Sequence, residues 1–358
     1  MKLDIELLNE FKSRVNANRL PLIKIFSNYN GKNKWNVICA TMDWMTVAID
    51  GIDTARLSRE NNNDASIKMM TFCNCVDVMW ESIQQLYRVL EDKTDIPFSE
   101  YKDVFFVDNS DNDHWKEIRS IFSAHPVNLH NIFAENDKTI RWFASWSGGT
   151  FSPEDFSVYL YPNQVGRSSE LFSIRFEKII AFIEKRYGYL NRAMQLIDQR
   201  IKEYNQQWKT TIINANHNDV FSWIDTLFEE NKQRYNLDSI EYDLEQIRET
   251  FLAKACGKLN QKALAEYKTI LISHLYHIEE YLQKMGEGME YPEVRFNYPD
   301  KLLYPLAKAF AERDAMREWG IDVLTDDLMN FVNLDDSMTE KDVEVLIRAG
   351  LFKKYGLR

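Results

Sequence analysis

Long stretches of apolar residues spaced three and four apart constrain this chain most. The clearest stretch lies between positions 172 and 201. Its apolar residues are Phe172, Phe176, Ile179, Ile183, Tyr187, Leu190, Met194, Ile197 and Ile201. This spacing puts them on one face of an α-helix that packs into a bundle, and we predict one helix over about 167–207. Glycine and proline, which interrupt helices, number only 12 and 8 in 358 residues. The chain is therefore predicted to be mainly α-helical.

Two short segments have a composition typical of strands. Thr139–Trp146 (TIRWFASW) and Phe156–Tyr161 (FSVYLY) are rich in β-branched and aromatic residues. Gly148-Gly149 lies between them and favours a turn. We therefore predict a small β-hairpin near 139–161, inserted into the helical bundle.

A polar stretch, Asn214–Asp219 (NANHND), is the predicted domain boundary. It separates a first domain over 1–210, which contains the hairpin, from a second helical domain over 215–358. Within the first domain, apolar spacing also predicts a short helix near 112–124. The sequence assigns no role to the second domain.

Charge and composition limit the classes of function. The formal net charge is −11, whereas proteins that bind nucleic acid over their whole surface are usually basic. RNA would therefore have to bind in a local basic cleft. No run of about 18 apolar residues is present, so we expect no membrane partner. The four cysteines lack a disulfide-framework spacing and the N-terminus lacks a signal-peptide pattern, which favours the cytoplasm.

Arg119 and His125 form the most chemically suggestive pair in the sequence. Metal-independent RNA cleavage requires a group that takes the 2′-OH proton and a group that protonates the leaving 5′-oxygen. A histidine, with an ordinary pKa of roughly 6.5, serves in either role near neutral pH. A planar guanidinium binds the phosphoryl oxygens, on which negative charge accumulates in the transition state.

Pro126 follows His125 directly. Proline disfavours helical geometry in the residue before it, so the helix carrying Arg119 should end or kink at His125. The imidazole would then project from a helix terminus, and Arg119 would bend toward the same pocket.

The sequence Arg119-x5-His125 resembles the Arg-x(4–6)-His motif of the HEPN superfamily, whose members are helical bundles. In this chain the motif lies on a short predicted helix that follows two long ones and precedes another long one. The flanking Glu117-Ile-Arg119 and Ala124-His125-Pro126 are similar to those of abortive-infection and toxin ribonucleases in that superfamily. The resemblance covers roughly residues 1–207.

This resemblance implies a metal-independent RNA endonuclease without a cofactor, active in phage defence or as a toxin. It implies a homodimer in which two Arg119–His125 pairs line one cleft, and products with a 2′,3′-cyclic phosphate and a 5′-OH. An antitoxin or regulatory partner is a further expectation. Glu117 would orient Arg119, and Ser120 would donate to a phosphate. The candidates for a basic RNA-binding lining are Lys116, Lys185, Arg186 and Arg192.

Two alternatives remain open from the sequence. In the first, the bundle is a non-catalytic dimeric scaffold or regulatory interaction protein, and Arg119 and His125 make structural contacts. The acidic net charge and the serine at position 120 favour it. In the second, His274 and His277 belong to a metal-dependent enzyme, because residues three apart share a helix face.

Overall fold

The computed structural model describes residues 3–54, 62–130, 139–146, 155–291, 293–311, 315–335 and 338–357. Within these residues the chain is mainly helical and has one small antiparallel sheet, which confirms the mainly α-helical class. The chain divides into two compact units, Met1–Lys202 and Glu203–Arg358. Each unit has its own hydrophobic core.

The N-terminal unit is built on long helices that share a core. Its helices are α1 (Ile5–Ala17), α2 (Arg19–Phe26), α3 (Trp35–Thr54), α4 (Asn62–Leu90), α5 (Asp111–Arg119), α6 (Phe176–Tyr187) and α7 (Tyr189–Thr210), the last of which continues past Lys202. Helices α3 and α4 approach closely where Gly51 faces Cys75. A side chain at position 51 would collide with the Cys75 sulfur, so the glycine permits this approach. Phe72, Phe122 and Phe182 are among the fully buried side chains of this core.

The sheet has four antiparallel strands in the order β1-β2-β3-β4. They are β1 (Leu129–His130), β2 (Arg141–Ser145), β3 (Asp155–Pro162) and β4 (Glu170–Arg175). Phe156, Val158 and Leu160 alternate along β3 and are fully buried, so one face of the sheet covers the helical core. The predicted hairpin corresponds to β2 and β3 and is part of this larger sheet. Its proposed turn at Gly148-Gly149 lies outside the described residues.

The prediction of one helix over about 167–207 was wrong in two respects: the segment starts with a strand, and its helical part is divided at Gly188 into α6 and α7. Residues 170–175 form β4, in which Phe172 pairs with Val158 of β3. Arg175 is still extended, with φ −88° and ψ 130°, and α6 begins at Phe176. Phe172 and Phe176 are four apart, so they fit a helical pattern although only the second is helical. Backbone hydrogen bonds to β3 decide the conformation here, and apolar spacing does not record them.

The C-terminal unit consists of helices around a second core. They are α8 (Val220–Arg234), α9 (Asp238–Leu252), α10 (Lys258–Gln283), α11 (Leu303–Ala309), α12 (Arg317–Leu328) and α13 (Glu340–Tyr355). Helix α10 contributes Leu271, Leu275, Ile278 and Leu282, which are spaced four, three and four apart and are buried. Over the described part of the chain, no helix combines the length and apolar character needed to cross a bilayer.

Candidate functional site

Arg119 and His125 lie at the two ends of a π-helical segment. Helix α5 begins after Ser110, whose side chain accepts a hydrogen bond from the backbone N–H of Asp113. After Arg119 the helix widens into a π-helix over Ser120–Ala124, and the N–H of His125 donates to the carbonyl of Ser120 at 3.0 Å. His125, with φ −141° and ψ 41°, leaves the helix. The predicted helix end before Pro126 is therefore confirmed, and π-helical segments of this kind occur frequently at functional sites.

The inner face of this segment is fixed to the bundle. Trp115 stacks on Phe182 of α6, with ring centroids 5.3 Å apart. The Ser123 hydroxyl donates to Asn74 Oδ1 of α4 at 2.6 Å. Asp111, fully buried, accepts hydrogen bonds from the backbone N–H groups of residues 103–105. These contacts fix the orientation of α5 and the π-helical segment relative to the bundle.

Arg119 is held by a carboxylate from another helix. Its Nη1 donates to Asp77 Oδ2 of α4 at 2.7 Å, and the two side chains are 36% and 31% exposed. The second Asp77 oxygen accepts from Trp115 Nε1 at 3.3 Å. The Nε of Arg119 is buried and has no hydrogen-bond partner among the described residues. Asp77 therefore fixes one edge of the guanidinium.

His125 is exposed to solvent. Its backbone is fixed on both sides, because its N–H donates to Ser120 and its carbonyl accepts from the N–H of Asn128 at 3.0 Å. In the described part of the chain, no hydrogen bond joins its imidazole to Arg119. The guanidinium and the imidazole thus belong to the same short segment and are held there by separate contacts.

Glu117 does not orient Arg119, contrary to the sequence-based expectation. Its carboxylate lies 2.9 Å from His114 Nδ1 and accepts from Asn109 Nδ2 at 3.2 Å. Asp77 takes the orienting role instead. Ser120 is partly buried, and its backbone carbonyl closes the π-helical segment. Sequence reasoning missed Asp77 because it precedes Arg119 by 42 residues, and no short motif connects them.

Arg186 does not belong to a basic RNA-binding lining. It is fully buried, and its Nε and Nη2 donate to Asn112 Oδ1 at 3.1 and 2.6 Å. Burial lowers the pKa of its guanidinium to about 10. The guanidinium also lies 3.5 Å from the Phe182 ring centroid, so its contacts are with the core of the unit.

The other three predicted basic residues each pair with a carboxylate. The pairs are Lys116 with Asp113, Lys185 with Asp103, and Arg192 with Glu91. Hydrogen bonds from Lys116 and Ser110 lower the pKa of the Asp113 carboxyl. The charges of these cations are therefore partly neutralised, and no contact among the described residues connects the three with Arg119.

A groove on the outer side of α3 and α4 adjoins the Arg119 contact. It has a volume of about 570 Å³, and its lining includes Trp44 of α3 together with Asp77 and Glu81 of α4. Trp44 is 57% exposed, and Val47, one turn further along α3, is 56% exposed. Asp77 thus belongs both to this groove and to the Arg119 pair.

His274 and His277 do not form a metal site. His274 is 7% exposed in the core of the C-terminal unit, whereas His277 is exposed to solvent. Glu279, the nearest carboxylate after His277 in the sequence, is already engaged. It accepts a hydrogen bond from Trp223 Nε1 at 2.7 Å and lies 2.9 Å from His217 Nε2. Over the residues that the structure describes, no three His, Cys, Asp or Glu side chains cluster in a way that would hold a metal ion.

Comparison of the chain with models of protein families, with curated proteins and with solved structures found no match.

Proposed function

We propose that this protein is a metal-independent RNA endonuclease of the HEPN type, acting in phage defence or as a toxin. The observation that carries the proposal is the segment 119–125, in which a guanidinium oriented by Asp77 and an exposed imidazole stand at the two ends of a π-helical segment. The resemblance of Arg119-x5-His125 to the HEPN motif supplies the reaction class.

The proposed chemistry is transesterification at phosphorus. The ribose 2′-oxygen bonds to the adjacent phosphorus as a neutral imidazole of His125 takes its proton. The bond from phosphorus to the 5′-oxygen breaks, and that oxygen takes a proton from a protonated imidazole. The products are a 2′,3′-cyclic phosphate and a 5′-OH. Arg119 stabilises the charge that develops on the phosphoryl oxygens.

A homodimer fits this chemistry, because the reaction uses one proton acceptor and one proton donor. Two copies of His125 in one cleft would supply both, in opposite protonation states. The face containing Trp44 and Val47 adjoins the Asp77–Arg119 pair and is apolar and exposed, which supports its use as the dimer contact. Asp77 is a positioning residue in this proposal, since it acts through Arg119.

The test is cleavage of a single-stranded RNA by the purified full-length chain in EDTA. We expect cleavage with cyclic-phosphate and 5′-OH ends, and a loss of at least about a hundredfold in rate for Arg119→Ala and for His125→Ala, because each removes a group that acts in the transition state. Circular dichroism of each variant should match that of the parent chain.

His130→Ala is the matched control, because His130 is also exposed and lies only five residues beyond His125. Its cleavage rate should equal that of the parent. Undiminished cleavage by either Arg119→Ala or His125→Ala would refute the assigned mechanism. Absence of cleavage by the parent chain on all single-stranded RNAs tested would refute the nuclease itself.

A second candidate is a non-catalytic dimeric scaffold or regulatory interaction protein. The groove between α3 and α4 favours it, since an exposed tryptophan beside an apolar groove is typical of protein interfaces. Growth on induction separates the two candidates. A ribonuclease should slow growth and its His125→Ala form should not, whereas a scaffold should give the same growth with and without His125.

A further inference from the structure

The C-terminal unit contains a cavity that is independent of the proposed nuclease site. Its volume is about 400 Å³, within the range of small-molecule pockets, which is roughly 300–1,000 Å³. Helices α9, α10, α11 and α13 and the segment 294–298 contribute to its lining. Most of this lining is apolar or aromatic, and Tyr267, Phe296 and Phe310 are among its members.

One charged group in this lining lacks a full set of hydrogen bonds. Arg348 of α13 is 9% exposed, and its Nη1 is buried without a hydrogen-bond partner in the described part of the chain. Its Nη2 lies 3.7 Å from Glu344 Oε2, while the other oxygen of Glu344 accepts from Arg317 at 2.9 Å. Two guanidinium groups thus share one carboxylate. Because a buried charged donor without an acceptor is unfavourable, Arg348 is suited to bind an anion that enters the cavity.

An acceptor in the same lining is also unpaired. Gln246 Oε1 of α9 is buried and has no hydrogen-bond partner among the described residues. The neighbouring Asp243, also in the lining, already accepts from the Tyr291 hydroxyl at 2.5 Å. The lining therefore contains one cationic donor and one neutral acceptor that lack partners among the described residues, together with several aromatic side chains.

We propose that this cavity binds a small planar aromatic carboxylate that carries one N–H group. The carboxylate would accept from Arg348 Nη1, the N–H would donate to Gln246 Oε1, and the ring would pack against the aromatic walls. A phosphate group fits less well, because it carries more charge than one shared guanidinium balances and would lie in a cavity that also contains the Asp243 carboxylate.

The test is isothermal titration of the full-length chain with three probes of nearly equal shape. Indole-3-acetate has both polar groups, 1-naphthaleneacetate lacks the N–H, and 3-isobutylindole replaces the carboxylate with an uncharged group of similar shape that accepts no hydrogen bond. We expect saturable binding of indole-3-acetate with one site per chain. Each of the other two should bind at least about tenfold more weakly, since each leaves one buried group of the protein unpaired.

Three variants test whether the probes bind in this cavity. Arg348→Met should weaken indole-3-acetate binding at least about tenfold and leave 3-isobutylindole binding unchanged, because only the carboxylate uses the guanidinium. Arg295→Met is the matched control: Arg295 is 64% exposed, and its loss should change neither affinity. Ala307 is an exposed residue of the lining, so Ala307→Trp should block the cavity with little effect on folding.

Three outcomes would overturn the proposal. They are equal affinity of the parent chain for the charged and neutral probes, unchanged binding by Ala307→Trp, and no saturable binding of any probe. If Arg348→Met does not fold, the probe series on the parent chain and the Ala307→Trp titration decide the question without it. RNA cleavage is not a readout here, so failure of the nuclease proposal leaves this test intact.

Discussion

The buried pair of Arg186 and Asn112 shows how a single residue stabilises the N-terminal unit. Asn112 Oδ1 accepts two hydrogen bonds from the guanidinium, and its Nδ2 donates to the carbonyl of Pro97 at 3.0 Å. Asn112 is 3% exposed and Arg186 fully buried, so water does not replace these bonds. An arginine in such a place stabilises the fold only while its acceptor remains.

Asn112→Ala should therefore lower the free energy of unfolding by about 3 kcal/mol, because it leaves a buried charged donor without its acceptor. Urea unfolding followed by circular dichroism measures the change. Asn109→Ala is the control, since Asn109 is exposed and its side chain donates to the exposed side of Glu117 rather than to a buried group; we expect a change below about 0.5 kcal/mol. A loss below about 1 kcal/mol for Asn112→Ala would show that the guanidinium finds another partner.

For single residues, the sequence predicted where the helix ends at His125 but not the side chains that hold Arg119 and Arg186. Pro126 indicated that the helix ends at His125, because that effect acts between adjacent residues. The partners of Arg119 and Arg186, Asp77 and Asn112, are 42 and 74 residues away from them. Their proximity is a result of helix packing, which no local spacing records. For the same reason Arg186, next to the exposed Lys185, looked like a surface residue.

Helices α11 and α12 are packed so closely at Gly320 that the backbone of α11 leaves no room for a side chain there. A Cβ on Gly320 of α12 would lie 2.7 Å from the carbonyl oxygen of Pro305 and 2.8 Å from the backbone nitrogen of Ala309, both in α11. Backbone atoms do not rotate away as side chains do. The glycine therefore sets the distance between these two helices.

Gly320→Ala should destabilise the contact between α11 and α12 by about 2 kcal/mol, the usual cost of overpacking. Amide hydrogen exchange of the native chain, read from peptides of these two helices, should be faster in the variant. Gly188→Ala is the control: a Cβ there meets only ordinary contacts, the nearest being Lys185 O at 3.4 Å. Gly188 lies between α6 and α7 with φ −56° and ψ −15°, a conformation that alanine also adopts, so alanine should raise stability by up to about 1 kcal/mol. Equal exchange in Gly320→Ala and parent would contradict this interpretation.

The elements were predictable where a helix is long and isolated from strands. The short helix expected near 112–124 corresponds to α5 and its π-helical segment, and the amphipathic pattern beyond Phe176 corresponds to α6 and α7. Strand β4 was missed, since Phe172 fits the helical spacing and its pairing with Val158 is a tertiary contact. The π-helical segment was also not predictable, because the sequence SIFSA is compatible with an ordinary α-helix.

For the whole molecule, the net charge of −11 limits how RNA is held. Lys116, Lys185 and Arg192 pair with carboxylates, so the proposed nuclease has few cations to offer to phosphates. If each site contacts one or two phosphates, the logarithm of kcat/KM should fall against the logarithm of salt concentration with a slope of about −0.7 to −1.4. Initial rates on one RNA between low and moderate salt measure it.

A slope steeper than about −4 would indicate an extended basic RNA-binding surface, in conflict with the paired cations of this chain. A truncated dinucleotide substrate provides the control. It presents a single phosphate, so its slope should be no steeper than about −0.7. An identical slope for both substrates would mean that only the scissile phosphate contacts the protein.

The wide turn between Ser120 and Ala124 has a consequence for how this segment tolerates changes in length. A π-helical turn accommodates one residue more than an α-helical turn, and here that surplus lies between the guanidinium and the imidazole. Loss of one residue from the turn would restore regular winding while leaving α5 and Asp77 where they are. The direction of the imidazole therefore depends on the number of residues in the turn as well as on the side-chain contacts that hold the turn in place.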